Sequence, residues 1–381
     1  MRHLIAILLL LLAGCATAPP SRPVPVELFA DAAFAPPSVP VGADDLFALS
    51  PEMRAYLHSP GFSATLRAEG KERGLLDALY TKGKLKLEYD AAYTRTAAET
   101  FRDRVGNCMS LVIMTAAFAR ELGLQVRFQS VDIESWSRGG GLYLLSGHVN
   151  IVLGSRRESG DVSPDSSLLV DFLASPHPDR ARTHVLEERE IVSMFQNNRA
   201  AEAMVAGRLD EAYWWARAAV ARDPDAAIPL NSLGVIHERH GDKPMAERAY
   251  RAALLREPDN ITALRNLGTV LAALGKADEA QAVGRRLASL EPVPPFQYFY
   301  EGLDAYRKGD YDKARDRFAR EVKRASYNDE FHFWLGVSYL RLGDLREARK
   351  ELALAVDNST QDATRQRYSA KLAHLRQLGM R

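Results

Sequence analysis

The sequence is poor in cysteine and has no excess of charge of either sign. Only two cysteines, Cys15 and Cys108, occur among 381 residues. Lys and Arg together number 50, and Asp and Glu together number 49, so the chain has no global field that would attract nucleic acid. Basic residues are not interleaved with aromatic residues in any stripe. We therefore expect no nucleic-acid partner.

Motifs of metal and nucleotide sites are also missing. Zinc sites usually contain close-set ligand pairs such as CxxC or HExxH, and neither pattern occurs. No glycine-rich phosphate loop follows a strand-like segment. The sequence accordingly predicts neither a bound metal nor a cofactor.

A long hydrophobic run is absent as well, but a short one opens the chain. Residues 4–12 are all apolar, and these nine residues are too few to span a bilayer, which needs about 20. Residues 1–14 are therefore predicted to be a signal peptide. The tetrapeptide LAGC at 12–15 resembles the lipobox of bacterial envelope lipoproteins, which implies cleavage before Cys15 and lipidation of that cysteine. The alternative is an ordinary secretory signal with a chance cysteine there.

The resemblance to lipoproteins has consequences for location and for the second cysteine. Ala16 follows Cys15, and the absence of Asp at that position points to the outer membrane, with the protein facing the periplasm. Acyl chains on Cys15 would attach the protein to the membrane without a transmembrane helix. Cys108 then has no disulfide partner in an oxidising compartment. Residues 15–49 hold seven prolines and are predicted to be an extended linker that lifts the body off the membrane.

Residues 50–191 are predicted to form an α+β domain. Residues 108–122 are a nearly continuous apolar segment that stops at Gly123, which indicates a buried helix. Three short segments of β type follow, at 126–131, 149–153 and 168–172.

A repeat of 34 residues dominates the rest of the chain. Four ladders of small residues or proline recur at this spacing: Gly207, Gly241, Gly275, Gly309 and Gly343; Ala212, Ala246, Ala280, Ala314 and Ala348; Gly234, Gly268, Gly302 and Gly336; and Pro224, Pro258 and Pro292. This period, with small residues at fixed offsets, is typical of the tetratricopeptide repeat, a pair of helices. We place five units within 192–362, at 193–226, 227–260, 261–294, 295–328 and 329–362, and a polar capping helix at 363–381.

The repeats also predict a packing pattern and a role. Gly234 and its equivalents should let two helices approach, and Gly241 and its equivalents should form the turn between them. A stack of such units bends into a superhelix with a groove that binds extended or helical peptides. We therefore expect a protein or peptide partner in this groove. The alternative is a scaffold that holds only its neighbouring domain.

Cys108 is a candidate nucleophile. It opens the apolar helix directly after Asn107, which is a suitable helix cap. The unpaired N–H groups and partial positive charge of a helix N-terminus stabilise a thiolate, and also an oxyanion formed during acyl transfer. His148 is the one histidine that begins a strand-like run, and it is the candidate base. Asp171 ends the apolar run at 168–170 and is the candidate carboxylate that orients the imidazole.

Together these residues resemble the catalytic triad of the transglutaminase-like superfamily, which has a papain-like fold. The matching stretches lie between about residues 85 and 175, at 96–101, 104–111, 119–124, 147–151 and 170–172. The resemblance implies acyl transfer, in which Cys108 attacks an amide, His148 transfers the proton and Asp171 holds the imidazole. The superfamily includes proteases, amidases and crosslinking enzymes, and also members that have lost catalysis.

The sequence thus predicts an α+β papain/transglutaminase-like domain followed by an all-α tetratricopeptide-repeat solenoid, carried by an envelope lipoprotein. The predicted activity is that of a cysteine protease, amidase or acyltransferase acting on a protein or peptide that the repeats recruit. The alternatives at the site are a buried core cysteine at 108, a structural histidine at 148, a turn cap at 171, or a metal cluster of all three. The competing function is that of a non-catalytic assembly or scaffold lipoprotein.

Overall fold

The computed structural model of the chain describes residues 22–37, 40–81, 85, 87–89, 93–139, 142–154, 167–172, 183–359 and 362–378. Over residues 131–139 and 142–147 it describes the backbone alone. The predicted signal peptide and Cys15 lie outside the described residues. Within the described part of the chain, no helix is both long enough and apolar enough to cross a bilayer.

Local capping signals start the helices of the N-terminal region. These helices are α1 Pro51–Leu57, α2 Pro60–Glu69, α3 Lys71–Tyr80, α4 Ala97–Asp103 and α5 Cys108–Glu121. The hydroxyl of Ser50 accepts a hydrogen bond from the N–H of Met53 at the start of α1. Thr96 and Glu99 form a reciprocal capping box at the start of α4. These caps satisfy backbone N–H groups that have no partner inside the helix.

Helix α5 is the central core element of this region, and it confirms the helix predicted at 108–122. Every side chain from Met109 to Ala119 is buried, as the nearly continuous apolar sequence requires. The helix ends before Gly123, whose φ of +75° lies in the left-handed region that favours glycine.

A four-stranded antiparallel sheet packs beside α5. Its strands are β3 Gln125–Gly139, β4 Leu142–Gly154, β5 Leu168–Val170 and β6 Thr183–Leu186, in the order β5-β4-β3-β6. Two short strands, β1 Glu88–Tyr89 and β2 Val105–Gly106, pair in parallel just before α5. The α+β composition predicted for this region is therefore confirmed. Strand β6 was not predicted, because it is a short edge strand whose side chains are mostly exposed and do not alternate.

Helix pairs form the rest of the chain. They are α6 Glu188–Val205 with α7 Leu209–Arg222, α8 Ala227–His240 with α9 Lys243–Arg256, α10 Ile261–Ala273 with α11 Ala277–Leu290, α12 Gln297–Arg307 with α13 Tyr311–Arg324, and α14 Asp329–Leu342 with α15 Leu345–Asn358, followed by α16 Asp362–Leu378. The sequence boundary at 191–192 falls inside α6. Ile191 and Phe195 of this helix belong to one buried cluster that extends from the N-terminal region into the third pair. The two regions are therefore joined by a shared helix and a shared core.

Glycine has different packing roles at equivalent positions of the repeat. A Cβ atom on Gly234 would lie 2.5 Å from the ring of Tyr250, so the absence of a side chain allows α8 and α9 to approach. A Cβ atom on Gly268 would lie 3.7 Å from Val283, which is an ordinary contact. The expectation that glycine is needed for close approach therefore holds at Gly234 and is wrong at Gly268.

The apolar core of the repeats is interrupted between the third and fourth pairs. Tyr250 and Leu267 belong to a cluster in the second and third pairs, whereas Phe299 and Phe331 belong to a separate cluster in the fourth and fifth. Helix α11, between these clusters, has no fully buried side chain. The five pairs thus pack as two groups, although the sequence spacing is regular throughout.

Residues 22–37, which we call the N-terminal strap, fold onto the repeats. Phe34 stacks on Tyr213 of α7, with ring centroids 3.9 Å apart. The hydroxyl of Tyr213 donates to Asp31 at 2.6 Å, and the imidazole of His237 hydrogen-bonds to the carbonyl of Leu28 at 2.9 Å. This finding corrects the interpretation of the segment as an extended spacer. Proline restricts the backbone of the strap, but its apolar and aromatic side chains bind the first two helix pairs.

Candidate active site

Cys108 is the first residue of α5 and lies at the edge of the core. The eleven residues that follow it are all buried, whereas Cys108 is only half-buried. The alternative of a buried core cysteine does not fit this position. The side chain of Asn107 caps the helix, as predicted, by accepting the N–H of Ser110 at 2.9 Å. The backbone N–H of Cys108 has no acceptor within the helix, because it belongs to the first turn.

The structure brings His148 and Asp171 together across neighbouring strands. His148 lies on β4, Asp171 directly follows β5, and Ile151 is paired with Val170 between them. This register puts Asp171 diagonally opposite His148 on the same face of the sheet. The Nε2 atom of His148 lies 2.5 Å from Oδ1 of Asp171. The histidine side chain is 5% exposed and the aspartate side chain 26%, so His148 is buried while Asp171 is partly open to solvent.

Burial, Asp171 and Cys108 act together on the charge of His148. Burial alone lowers the pKa of the imidazole, but the hydrogen bond with Asp171, the proximity of Cys108 and the charges of both groups outweigh burial and raise the pKa to about 9. The raised pKa favours the protonated form of His148. Its Nδ1 atom is buried and has no hydrogen-bond partner of standard geometry among the described residues. Cys108 thus influences His148 at short range without a well-formed hydrogen bond.

A hydrogen-bond network holds the start of α5 from outside the helix. The Nδ2 of Asn107 donates to the hydroxyl of Thr94 at 2.8 Å. The hydroxyl of Ser110 donates to Oδ1 of Asn107 at 2.8 Å and accepts the N–H of Arg95 at 2.8 Å. Thr94, Asn107 and Ser110 are all buried. The placement of Cys108 therefore depends on the segment that precedes α4.

Two residues of the first helix pair complete this network, and the sequence pattern did not reveal them. Glu202 on α6 accepts the N–H of Thr94 through Oε1 at 2.7 Å. Arg199, also on α6, donates to the carbonyl of Thr94 at 3.2 Å and lies 4.0 Å from the centroid of the Tyr93 ring. Both contacts join residues more than 100 positions apart, and no local spacing predicts them.

The alternative of a metal cluster at Cys108, His148 and Asp171 has no geometric support. Across the residues that the structure describes, no group of three or more His, Cys, Asp or Glu side chains is arranged to hold a metal ion.

Comparison with known proteins identifies the repeats. The sequence profile of the tetratricopeptide repeat matches residues 231–294 and 301–363, so the C-terminal helix pairs include tetratricopeptide repeats. No functionally curated protein matches the chain.

Solved structures with similarity to the chain are also repeat proteins. TTC0263, a thermophilic TPR protein in Thermus thermophilus, is 21% identical over 48% of this chain and 99% of its own, with a TM-score of 0.29. YrrB, a TPR protein with an unusual peptide-binding site, is 20% identical over 48% of this chain and 94% of its own, with a TM-score of 0.27. The second TPR of Spaghetti (RPAP3), bound to an HSP90 peptide, is 19% identical over 27% of this chain and 96% of its own, with a TM-score of 0.27.

Proposed function

We propose that the protein is a cysteine-dependent acyl-transfer enzyme of the transglutaminase-like type, with tetratricopeptide repeats that recruit its protein or peptide substrate. The observation that carries this proposal is the meeting of three side chains from distant parts of the sequence. Cys108 lies at a helix start, and His148 bonds Asp171 at 2.5 Å while Cys108 helps to raise the pKa of His148 to about 9. A nucleophile, a base and an orienting carboxylate are the parts that such chemistry needs.

The two ring nitrogens of His148 have different roles in this mechanism. Asp171 occupies Nε2, which leaves the unpartnered Nδ1 to exchange a proton with the thiol of Cys108. The thiolate attacks the carbonyl carbon of an amide, and the leaving ammonia or amine takes the proton from His148. Water or a second amine then attacks the thioester, gives a proton to His148 and releases Cys108. The N–H groups of the first turn of α5 stabilise the oxyanion formed in each step.

The repeats supply the binding part of the proposal, since tetratricopeptide repeats bind protein or peptide partners. Asn231 on α8 accepts a hydrogen bond from Nδ2 of Asn266 on α10 at 3.0 Å. Both side chains are partly exposed on the first helices of successive pairs, where amides can pair with an extended peptide backbone. Ile228, one turn before Asn231, is 47% exposed and offers apolar contact beside them.

Envelope anchoring through Cys15 belongs to the same proposal. The strap is held to the repeats from Arg22 onward, where the arginine pairs with Asp225. The chain between Cys15 and Arg22 can span at most about 25 Å when fully extended. A lipid on Cys15 would therefore keep the first two helix pairs close to the membrane surface, facing the periplasm of an outer membrane. Replacement of Cys15 by alanine is expected to release the protein from the membrane fraction, and retention would contradict the anchor.

The function is tested by trapping the acyl intermediate. The full-length protein is incubated with envelope proteins, and Cys108 is examined by mass spectrometry for a mass increase together with release of ammonia or an amine. We expect an adduct on Cys108 in the wild type, little or none in His148→Ala, because the thiol is no longer activated there, and none at position 108 in Cys108→Ala. A partner that binds through the repeats with no adduct and no released amine would instead support the scaffold function.

A further inference from the structure

A carboxylate of the repeat region lies at the end of the hydrogen-bond network that holds Cys108. Oε1 of Glu202 accepts the N–H of Thr94 at 2.7 Å, and the hydroxyl of the same threonine accepts from Asn107 at 2.8 Å. Asn107 in turn caps the helix whose first residue is Cys108. One residue, Thr94, therefore connects the first repeat helix to the cap beside the nucleophile.

The environment of Glu202 is unusual for a residue that only joins two domains. Its side chain is 17% exposed, and Oε2 is buried without a hydrogen bond within the described part of the chain. Arg199 is its nearest cation, with Nε 3.7 Å from Oε2. Burying a carboxylate costs free energy that an apolar side chain would not cost. A carboxylate at this position therefore calls for a role beyond packing.

We propose that Glu202 is a positioning residue for Cys108, through which the repeat domain controls the geometry of the nucleophile. This inference rests on the proposed acyl-transfer function. Glu202 accepts the N–H of Thr94 and Arg199 donates to its carbonyl, so a shift of α6 moves Thr94 and changes the hydrogen bond that Asn107 donates to the Thr94 hydroxyl. A partner that shifts α6 when it binds the repeats would in this way change the reactivity of the thiol.

The charge state of Glu202 makes its effect on Cys108 depend on pH. Burial raises the pKa of the carboxyl to about 7, against the opposing effects of the Thr94 hydrogen bond and of Arg199 and Arg95, the charged groups that face it. Above this pH the ionised carboxylate accepts the N–H of Thr94 more strongly, because the hydrogen bond is then charge-assisted. Below this pH the protonated carboxyl of Glu202 accepts the N–H of Thr94 more weakly. The reactivity of Cys108 should therefore contain a step near pH 7.

The experiment compares Glu202→Gln with Glu211→Gln in the full-length chain. Glu211, on the neighbouring helix α7, pairs with Arg208 at 2.7 Å and serves as a matched control. The rate of Cys108 alkylation by iodoacetamide is measured from pH 5 to 9, together with hydrogen exchange of the N–H of Ser110. We expect Glu202→Gln to slow alkylation about five-fold at pH 8, to remove the step near pH 7 and to speed exchange at Ser110. Glu211→Gln should match the wild type in all three measurements.

A second variant distinguishes the positioning role of Glu202 from a simple folding defect. Thr94→Val keeps the N–H that binds Glu202 but removes the hydroxyl, which accepts from Asn107 and also interacts with Glu202, and it should reproduce the slower alkylation. Unchanged rates and an unchanged pH profile in Glu202→Gln would overturn the positioning role. If wild-type Cys108 is no more reactive than an unfolded thiol, the proposed function fails, and the Ser110 exchange rate still decides whether Glu202 holds the helix start.

Discussion

The imidazole of His148 and the carboxylate of Asp171 are joined by a 2.5 Å contact between neighbouring strands, 23 residues apart in the sequence. The contact occupies the ring nitrogen Nε2 and leaves Nδ1 for Cys108. In the proposed mechanism Asp171 orients the imidazole of His148 and, together with Cys108, raises its pKa. The chemistry of the site can be tested through this pair without knowledge of the substrate.

Replacing Asp171 with asparagine should lower the pKa of His148. The change removes the negative charge and the charge-assisted hydrogen bond that raise the pKa to about 9, whereas burial continues to lower it. The imidazole should then be largely neutral at pH 7.5, which NMR titration of the ring resonances can measure. Asp44→Asn is a suitable control, because Asp44 is exposed and pairs only at the surface with Arg222. Titration of His148 near pH 9 in the Asp171 variant would contradict the assignment.

The raised pKa of His148 also predicts how stability depends on pH. The protonated form is favoured by the fold, so its contribution is fully present below the unfolded pKa of about 6.5 and is lost as pH rises through about 9. The full contribution is on the order of 3 kcal/mol. Urea unfolding at pH 6, 7.5 and 9 should show this decline, and His148→Ala should flatten it. If the free energy of unfolding declined equally with pH in the wild type and in His148→Ala, groups other than His148 would cause the decline.

Replacement by alanine should affect stability differently at two equivalent glycines of the repeats. Gly234→Ala places a methyl group 2.5 Å from the ring of Tyr250 and should destabilise by about 1–3 kcal/mol through overpacking. Gly268→Ala meets only Val283 at 3.7 Å and should be neutral or stabilising by up to about 1 kcal/mol, because alanine favours helix more than glycine does. Thermal unfolding followed by circular dichroism measures both. A similar loss in the two variants would contradict the packing described between α8 and α9.

The N-terminal strap should detach when the buried ring of Phe34 is removed. Phe34 is 5% exposed and stacks on Tyr213, so Phe34→Ala should weaken strap binding by about 3 kcal/mol. Hydrogen exchange over residues 22–37 should accelerate in this variant. Val26→Ala is the control, since Val26 is 67% exposed and its loss should leave exchange unchanged. Slow exchange in both variants would show that Phe34 does not hold the strap.

The parts of the fold that could be predicted are those with a local signal. Helix α5 follows from its apolar sequence and its cap at Asn107, and the repeats follow from glycine and alanine at a fixed period. The strap, strand β6 and the hydrogen bond from Thr94 to Glu202 depend on contacts between residues far apart in the chain. The prolines of the strap indicate an extended backbone. No pattern in the strap sequence shows that Phe34 packs against Tyr213.

The candidate site likewise contains residues that have a local sequence signal and one residue, Glu202, that has none. Cys108, His148 and Asp171 were predicted because each lies at the start or end of a recognisable segment and because the family resemblance orders them along the chain. Glu202 was not predicted from the sequence, because a glutamate on a repeat helix is ordinarily exposed to solvent. Its role comes from burial against Thr94, which only the packing of α6 on the N-terminal region creates.

The rate of Cys108 alkylation at mildly acidic pH tests the central claim most directly. The protein is first reduced, so that an oxidised thiol is not mistaken for an unreactive one, and is then treated with iodoacetamide at pH 6. An ordinary thiol with a pKa of about 8.5 is less than about 1% ionised there and reacts slowly. We predict that wild-type Cys108 is labelled at least about ten-fold faster than the same cysteine in the urea-unfolded chain, and that most of this advantage is lost in His148→Ala. Equal rates in the folded, unfolded and His148→Ala proteins would contradict an activated nucleophile at Cys108.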